Sequence, residues 1–89
     1  MARVTRDGFL GGKLQVLQPA DGYRAGVDPV LLAASIPAVA GQSVLDLGCG
    51  VGVASLCLGA RVKGLDLCGL EVQPDYAALA RDNGAANGI

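Results

Sequence analysis

An acidic residue and three alternating glycines separate an apolar strand from an apolar helix in the stretch VLDLGCGVGVASLCL. Asp46 comes two residues before Gly48, and Gly50 and Gly52 follow at alternate positions. Glycines directly after a buried strand let the backbone approach a ligand closely, and the following helix offers unpaired amides and the positive end of its dipole. Glu71, the sole glutamate of the sequence, follows Gly52 by nineteen residues. The pattern predicts a site for a nucleotide-like ligand.

The spacing of the glycines separates the candidate ligands. A dinucleotide fingerprint needs a third glycine where helix meets strand, and Val53 occupies that position. A P-loop needs a Lys-Ser or Lys-Thr pair after the glycines, and none follows. The carboxylate of Asp46 would repel a pyrophosphate but complements the ammonium and sulfonium groups of S-adenosylmethionine. We therefore predict S-adenosylmethionine as the cofactor, with a nicotinamide oxidoreductase fragment as the less favoured alternative.

The end of the second apolar stretch is predicted to bind the adenosine moiety. Glu71 can accept hydrogen bonds from both ribose hydroxyls, which is a charge-assisted bidentate contact. Val72 would then cover one face of the adenine, and Cys49 completes the predicted cofactor-binding set within the glycine loop. Taken singly, these features have plainer explanations as a turn, a strand-end cap and a loop charge. Their order and spacing together favour the site.

The elements around this site alternate between strand and helix. Val44 to Leu47 is predicted as a parallel strand covered on both faces, and Leu65 to Val72 as a second buried strand. A helix opens at Pro74 and closes near Asn87 and Gly88. The intervening helix has one apolar face, formed by Val53, Leu56, Cys57 and Ala60. This order predicts right-handed crossovers and a parallel sheet, so residues 43–89 form a strand-helix-strand-helix cofactor-binding unit of the α/β class.

Residues 1–27 are predicted to form a hairpin and a loop. The Gly-Gly pair in FLGGKLQVLQ indicates a turn, after which Leu14, Val16 and Gln18 share one alternating face. The next stretch, PADGYRAG, is predicted as a loop because of its proline, glycine and aspartate content. A small cluster of basic residues is interpreted as a solvated, mobile N-terminus: Arg3, Arg6 and Lys13.

Residues 28–37 are predicted as a short helix. Asp28 is the expected N-cap, Pro29 takes the first helical position, where its missing amide proton costs nothing, and Pro37 stops the helix. The uncharged span around this helix is interrupted by proline, glycine and polar residues, so we predict no membrane helix and a cytoplasmic protein.

Composition sets further bounds on the molecule. Its 89 residues allow at most one domain. The net charge of −1 leaves no global footprint for nucleic acid, and three cysteines without CxxC spacing or any histidine make a metal site improbable. Hydrophobic residues make up 52% before fourteen glycines are added, against about 45–50% with glycine included in typical domains. Some of this apolar surface is therefore expected to face further chain or a partner, with self-association through an open sheet edge as one possibility.

The sequence resembles class I S-adenosylmethionine-dependent methyltransferases, and among them the bacterial enzymes that methylate the exocyclic amine of an adenine in valine tRNA. VLDLGCGVG is similar to their first cofactor motif, and GLEVQPDYAALARDNGAANG to their acidic second motif. QPADGYRAGVDPVLLAASIP is similar to the segment that precedes the cofactor motif in the adenine-methylating group. The resemblance implies a tRNA substrate and places Tyr23, Arg24 and Asp28 near the cofactor pocket or its entrance.

The resemblance matches only the N-terminal part of the family's domain. Its members carry an Asn-Pro-Pro-aromatic motif that binds the target amine, whereas no two prolines are adjacent in this sequence. No catalytic residue is assigned for this reason. We expect a partial Rossmann-like sheet that lacks the C-terminal half of the domain, from a truncated chain or gene fragment. The alternative function is a non-catalytic fragment or assembly module that binds cofactor weakly or not at all.

Overall fold

The computed structural model describes residues 3–22 and 24–89 and confirms the predicted α/β class. A β-hairpin comes first, followed by a short helix and then by two parallel strands that alternate with two helices. In chain order the elements are β1 Val4–Phe9, β2 Leu14–Pro19, α1 Asp28–Ser35, β3 Ser43–Leu47, α2 Val53–Arg61, β4 Asp66–Leu70 and α3 Pro74–Ala86. This is the arrangement expected of part of a class I methyltransferase-type fold.

The N-terminal hairpin is confirmed, and it begins earlier than predicted. β1 and β2 pair antiparallel, and the side chains predicted to share one face, Leu14, Val16 and Gln18, are all buried. The prediction of a mobile N-terminus is wrong for Arg6, which lies in β1 opposite Leu17. The charged residues and the glycine of VTRDGF give β1 no strand-like pattern in the sequence. The strand forms because it pairs with β2.

Helix α1 forms where it was predicted, but its cap differs. Val27 occupies the N-cap position, no side chain caps the helix, and Asp28 lies in the first helical turn. The predicted N-cap role of Asp28 is therefore wrong. Its carboxylate instead sits near the positive end of the helix dipole, and the helix ends at Ser35, just before Ile36 and Pro37.

The parallel pair β3–β4 carries the glycine loop. Leu45 faces Cys68 and Leu47 faces Leu70 across the ladder, and these two strands form a two-stranded sheet among the described residues. The expectation that both faces of the sheet are covered is wrong. Leu45 is 56% exposed and Leu47 is 72% exposed, because α2 packs on the opposite face.

A single apolar cluster joins the hairpin to the two C-terminal helices. Its buried members come from β2, α1, the glycine loop and α2: Leu14, Val16, Ala33, Val51, Val53, Leu56, Cys57 and Leu58. The predicted apolar face of α2 is confirmed, with Val53, Leu56 and Cys57 each less than 5% exposed. The glycine loop is thus anchored in the core at its C-terminal end, through Val51 and Val53.

The described residues, 3–22 and 24–89, offer neither a helix that could span a membrane nor a cluster of metal-binding side chains. Within these ranges, no helix combines the length and the apolar character that crossing a bilayer requires. The same residues contain no group of three or more histidine, cysteine, aspartate or glutamate side chains arranged to hold a metal ion.

Candidate functional site

The loop between β3 and α2 has a backbone that requires glycine. Gly48, Gly50 and Gly52 have φ angles of 68°, 58° and 94°, which side-chain-bearing residues rarely adopt. The amides of Gly48 and Cys49 both donate to the carbonyl oxygen of Leu70, at 2.8 and 3.0 Å. A Cβ atom added at Gly48 or Gly50 would meet no atom within 4 Å, so the loop backbone borders open space. A ligand can approach the backbone at these two positions.

Glu71 follows β4 and holds the loop from the neighbouring strand. Its Oε1 accepts a hydrogen bond from the Gly50 amide at 2.9 Å, and its Oε2 accepts one from the Gln73 amide at 3.0 Å. The Gln73 amide, followed by the Gly50 amide, lowers the pKa of Glu71 below its ordinary value. The side chain is therefore a carboxylate at neutral pH and orders the glycine loop through one of its oxygens.

Asp46, at the end of β3, is oriented by a residue that sequence analysis missed. The hydroxyl of Ser55, in the first turn of α2, donates to Asp46 Oδ2 at 2.8 Å. The bond fixes one carboxylate oxygen, and among the described contacts the other keeps its capacity to accept hydrogen bonds. No distinctive pattern identifies Ser55 in the sequence, because its contact with Asp46 forms only when α2 packs back over β3.

Asp46, Gly48, Gly50 and Glu71 line a cleft of about 580 Å³ at the carboxyl ends of the parallel strands. Ligand pockets commonly measure about 300–1,000 Å³, and open parallel sheets bind ligands at this edge. The walls come from β3, the glycine loop, the start of α1, the segment after β4 and the first turn of α3. Residues that sequence analysis did not assign to the site also line it: Ala25, Pro29, Leu32, Leu47, Val51, Val53, Ala54, Gln73 and Tyr76.

The cleft is electrostatically negative. Asp28, Asp46 and Glu71 line it, and no lysine or arginine stands among the described residues on its walls. Burial, followed by the charges of Asp46 and Glu71, raises the pKa of the Cys49 thiol, which therefore stays neutral. A site with this charge attracts a cationic group and repels a pyrophosphate. The carboxylates of the cleft therefore fit a ligand that carries ammonium and sulfonium groups.

The structure brings together most of the predicted site residues. Asp46, Gly48, Cys49, Gly50 and Glu71 all line the cleft. Asp28, which the resemblance placed near the pocket, also contributes to its wall.

The remaining predicted residues lie elsewhere. Gly52 occupies the N-cap position of α2 and borders an adjoining cavity of about 310 Å³ between α2, β4 and α3. Val72 is 94% exposed and is not a wall residue of the cleft, so its contact with adenine stays a prediction. Tyr23 lies outside the described residues.

Arg24 is engaged with the hairpin rather than with the cleft. Its guanidinium donates to Asp7 Oδ2 at 2.9 Å, to Thr5 Oγ1 at 2.8 Å and to the carbonyl oxygen of Pro19 at 2.7 Å. The side chain of Gln18 also donates to Asp7 and accepts from the Ala25 amide, which ties the loop to the strands. These contacts give Arg24 a structural role, and its predicted role in cofactor binding stays a prediction.

A parallel strand, a glycine turn, a helix and an acidic residue after the next strand together define a strand-loop-helix unit of the Rossmann-like class. A family model narrows the class: the methyltransferase small domain matches residues 24–89. The chain belongs to this methyltransferase family.

Curated relatives agree with the family. The chain is 33% identical over 79 residues to a tRNA1(Val) (adenine(37)-N6)-methyltransferase of Yersinia enterocolitica, which covers 88% of this chain and 32% of that protein. Proteins of the same name from Yersinia pestis and Yersinia pseudotuberculosis are 32% identical over 77 residues, covering 85% of this chain and 31% of each relative. The chain thus spans about a third of the length of these relatives.

Proposed function

We propose that this chain is the S-adenosylmethionine-binding portion of a methyltransferase that modifies the exocyclic amine of adenine in tRNA. The observation that carries the proposal is the acidic cleft, where a glycine loop meets Asp46 and Glu71 at the ends of neighbouring parallel strands. Family membership supports methyl transfer, and the names of the Yersinia proteins support an adenine in tRNA as the acceptor. A tRNA-modifying role also implies a cytoplasmic location.

Each side of the cleft has a proposed task in holding the cofactor. The open backbone at Gly48 and Gly50 admits the ligand, and the free oxygen of Asp46 receives its ammonium group. Each oxygen of Glu71 already accepts one backbone hydrogen bond and retains capacity for a ribose hydroxyl. The bound cofactor would supply an electrophilic methyl group, and the chain's residues would position it by geometry and charge.

Isothermal titration with S-adenosylhomocysteine tests the proposal on the whole chain. We expect saturable binding that weakens about tenfold or more in Asp46→Asn, because a charge-assisted contact is lost. Asp66→Asn is the matched control: Asp66 lies at the opposite end of the sheet, where its carboxylate accepts only from the Ser43 hydroxyl at 3.3 Å among its described contacts. Tighter binding of NADH, or no binding by a folded chain, would overturn the proposal.

A second proposal, self-association, follows from the uncovered face of the parallel pair. Leu45, Leu47 and Leu70 lie on one face and are each more than half exposed, with Asp66 as the charged residue of that face. Because an exposed apolar face favours association, a second copy of the chain can cover it by a two-fold contact. Sedimentation velocity should show an oligomer that Leu47→Lys converts to monomer, whereas Val39→Lys, at a loop position 61% exposed, leaves it intact. A wild-type monomer at high concentration would refute self-association.

A further inference from the structure

Asn83 is a polar side chain sealed within the core. It is 0% exposed and lies on α3, between the hairpin and the glycine loop. Its Oδ1 accepts from the Leu17 amide at 2.8 Å, and its Nδ2 donates to the carbonyl oxygens of Leu17 and Val51, both at 3.0 Å. One carboxamide therefore joins three parts of the chain that are distant in sequence, and one of them is the proposed cofactor loop.

Asn87 makes an equivalent pair of bonds one helical turn later. Its Oδ1 accepts from the Gln15 amide at 3.0 Å, and its Nδ2 donates to the Gln15 carbonyl at 2.9 Å. Four residues of α-helix rise about 6 Å, and two residues of strand span about 6.6 Å, so side chains at i and i+4 match alternate strand residues. The side-chain carboxamides of the two asparagines bond to the free edge of β2 as the backbone amides of a neighbouring strand would.

The two asparagines differ in burial, since Asn83 is buried and Asn87 is half-buried, and in their third hydrogen bond. The third hydrogen bond of Asn87 goes back into its own helix, to the Asn83 carbonyl at 2.8 Å, whereas that of Asn83 goes to Val51. Val51 lies between two of the positive-φ glycines of the loop and is itself buried. Glu71 holds the preceding amide, that of Gly50, from the other strand end. The loop is thus held at an N–H group by a carboxylate and at the next carbonyl by a buried carboxamide.

We propose that Asn83 is a positioning residue of the cofactor site, which holds the glycine loop in its ligand-accepting conformation through the Val51 carbonyl. The same side chain makes the loop geometry depend on the hairpin through Leu17. The inference rests on the proposed function, since the ligand concerned is S-adenosylmethionine or its product. Asn83 touches neither ligand nor reacting atoms and acts through the backbone of the loop.

A matched pair of substitutions tests the role. Asn83→Asp keeps the acceptor for Leu17 and replaces the donor that serves Leu17 and Val51. Asn87→Asp makes the same chemical exchange at a half-buried position with the same number of hydrogen bonds, and none of the described contacts of Asn87 goes to the loop. Titration with S-adenosylhomocysteine is carried out on the full chain, below the unfolding midpoints of both variants, with hydrogen exchange of the Gly50 and Gly52 amides as the second readout.

The expected result is about tenfold weaker binding and faster exchange at the two glycine amides in Asn83→Asp, with binding within about twofold of wild type in Asn87→Asp. Equal losses in the two variants would show a purely structural role and overturn the inference. Wild-type affinity in a folded Asn83→Asp would overturn it as well. If the wild-type chain does not bind S-adenosylhomocysteine, it is the proposed function that fails, which is a separate outcome.

A measurement on the wild type covers the case in which Asn83→Asp does not fold. The side-chain amide resonances of Asn83 and Asn87 are followed by NMR during titration with S-adenosylhomocysteine. Because Asn83 is bonded to the loop at Val51 and Asn87 is not, we expect the Asn83 resonance to shift more. A shift at Asn87 equal to or larger than that at Asn83 would overturn the inference without any substitution.

Discussion

The hairpin and the parallel strand pair cover their apolar side chains to very different extents. In the hairpin, Leu14 is 2% exposed and Val16 is 0% exposed, and the outer edge of β2 is paired with two asparagines of α3. In the parallel pair, Leu47 is 72% exposed and Leu70 is 54% exposed. The parallel pair is the more apolar of the two, with six hydrophobic residues in ten against five in twelve for the hairpin strands, so composition does not explain the difference.

The difference lies in which elements the chain supplies to each region. α2 and α3 pack against β2, and α3 satisfies the free backbone groups of that strand. The parallel pair receives helical cover on one face only, although an α/β sheet of this type normally has two covered faces. The glycine loop lies where the two regions meet, since it follows β3 and is bonded to Asn83. The site therefore depends on the better covered region for its order.

The largest expected effect is on the free energy of unfolding, when one leucine from each region is replaced by alanine. Leu14→Ala should lower the free energy of unfolding by about 2–5 kcal/mol, because it removes a buried side chain and leaves a cavity. Leu47→Ala should change that free energy by less than about 0.5 kcal/mol, because the side chain is already exposed. Urea denaturation of both variants at low protein concentration measures the difference. Equal losses would contradict the comparison and show that the outer face is covered in solution.

The next effect concerns the loop between the regions. Gly52→Ala places a Cβ at a residue with φ of 94°, which should cost about 1–2 kcal/mol and weaken S-adenosylhomocysteine binding. Gly26→Ala is the control, since Gly26 does not have a positive φ and an added Cβ would meet no atom within 4 Å. The control should keep wild-type stability and affinity. Thermal unfolding and titration check both variants, and an unchanged Gly52→Ala would refute the strain argument.

A smaller effect on stability tests whether Arg24 stabilises the hairpin or binds the cofactor. Its contacts with Asp7 and Pro19 predict that Arg24→Ala lowers the free energy of unfolding by about 1 kcal/mol, as expected for a partly exposed ion pair. The same contacts predict unchanged affinity for S-adenosylhomocysteine. A clear loss of affinity would instead support the cofactor role that the resemblance implies. Lys13→Ala, at an exposed turn position, is the charge-matched control.

The smallest expected effect is a pH dependence of stability, to which both regions contribute. Backbone amides of Gln73 and Gly50 lower the pKa of Glu71 from 4.5, and the Thr5 and Gln18 side chains lower the pKa of Asp7 from 3.8. A lowered folded-state pKa stabilises the protein above the unfolded value, and this contribution is lost as the pH falls through the folded value.

Acid titration of wild type, Glu71→Gln and Asp7→Asn therefore compares the regions directly. The stability difference between wild type and each variant should stay constant at neutral pH and shrink below the ordinary pKa of the replaced group. Only the loss of Glu71 should weaken cofactor binding along with stability, because Asp7 does not line the cleft. A stability difference that grows as the pH falls would contradict the sign of the shift.

Much of the site could be predicted because it depends on local signals. Three glycines directly after a strand permit the positive φ angles that the loop adopts, and Asp46 and Glu71 end strands whose parallel order brings them to one edge. Ser55 was missed because a single hydroxyl on a helix has no distinctive pattern. Asn83 was missed because its partners, Leu17 and Val51, are 66 and 32 residues away along the chain.

The sequence by itself determined the alternation of strands and helices, the glycine turn and the acidic character of the site. Backbone sterics and hydrophobic periodicity act over a few residues, so these features do not depend on tertiary contacts. The tertiary structure alone decided that Arg24 binds the hairpin, that Asn83 joins β2 to the glycine loop, and that Leu47 stays exposed. These outcomes depend on which distant groups come within hydrogen-bonding or van der Waals distance, and this is set by the packing of the whole chain.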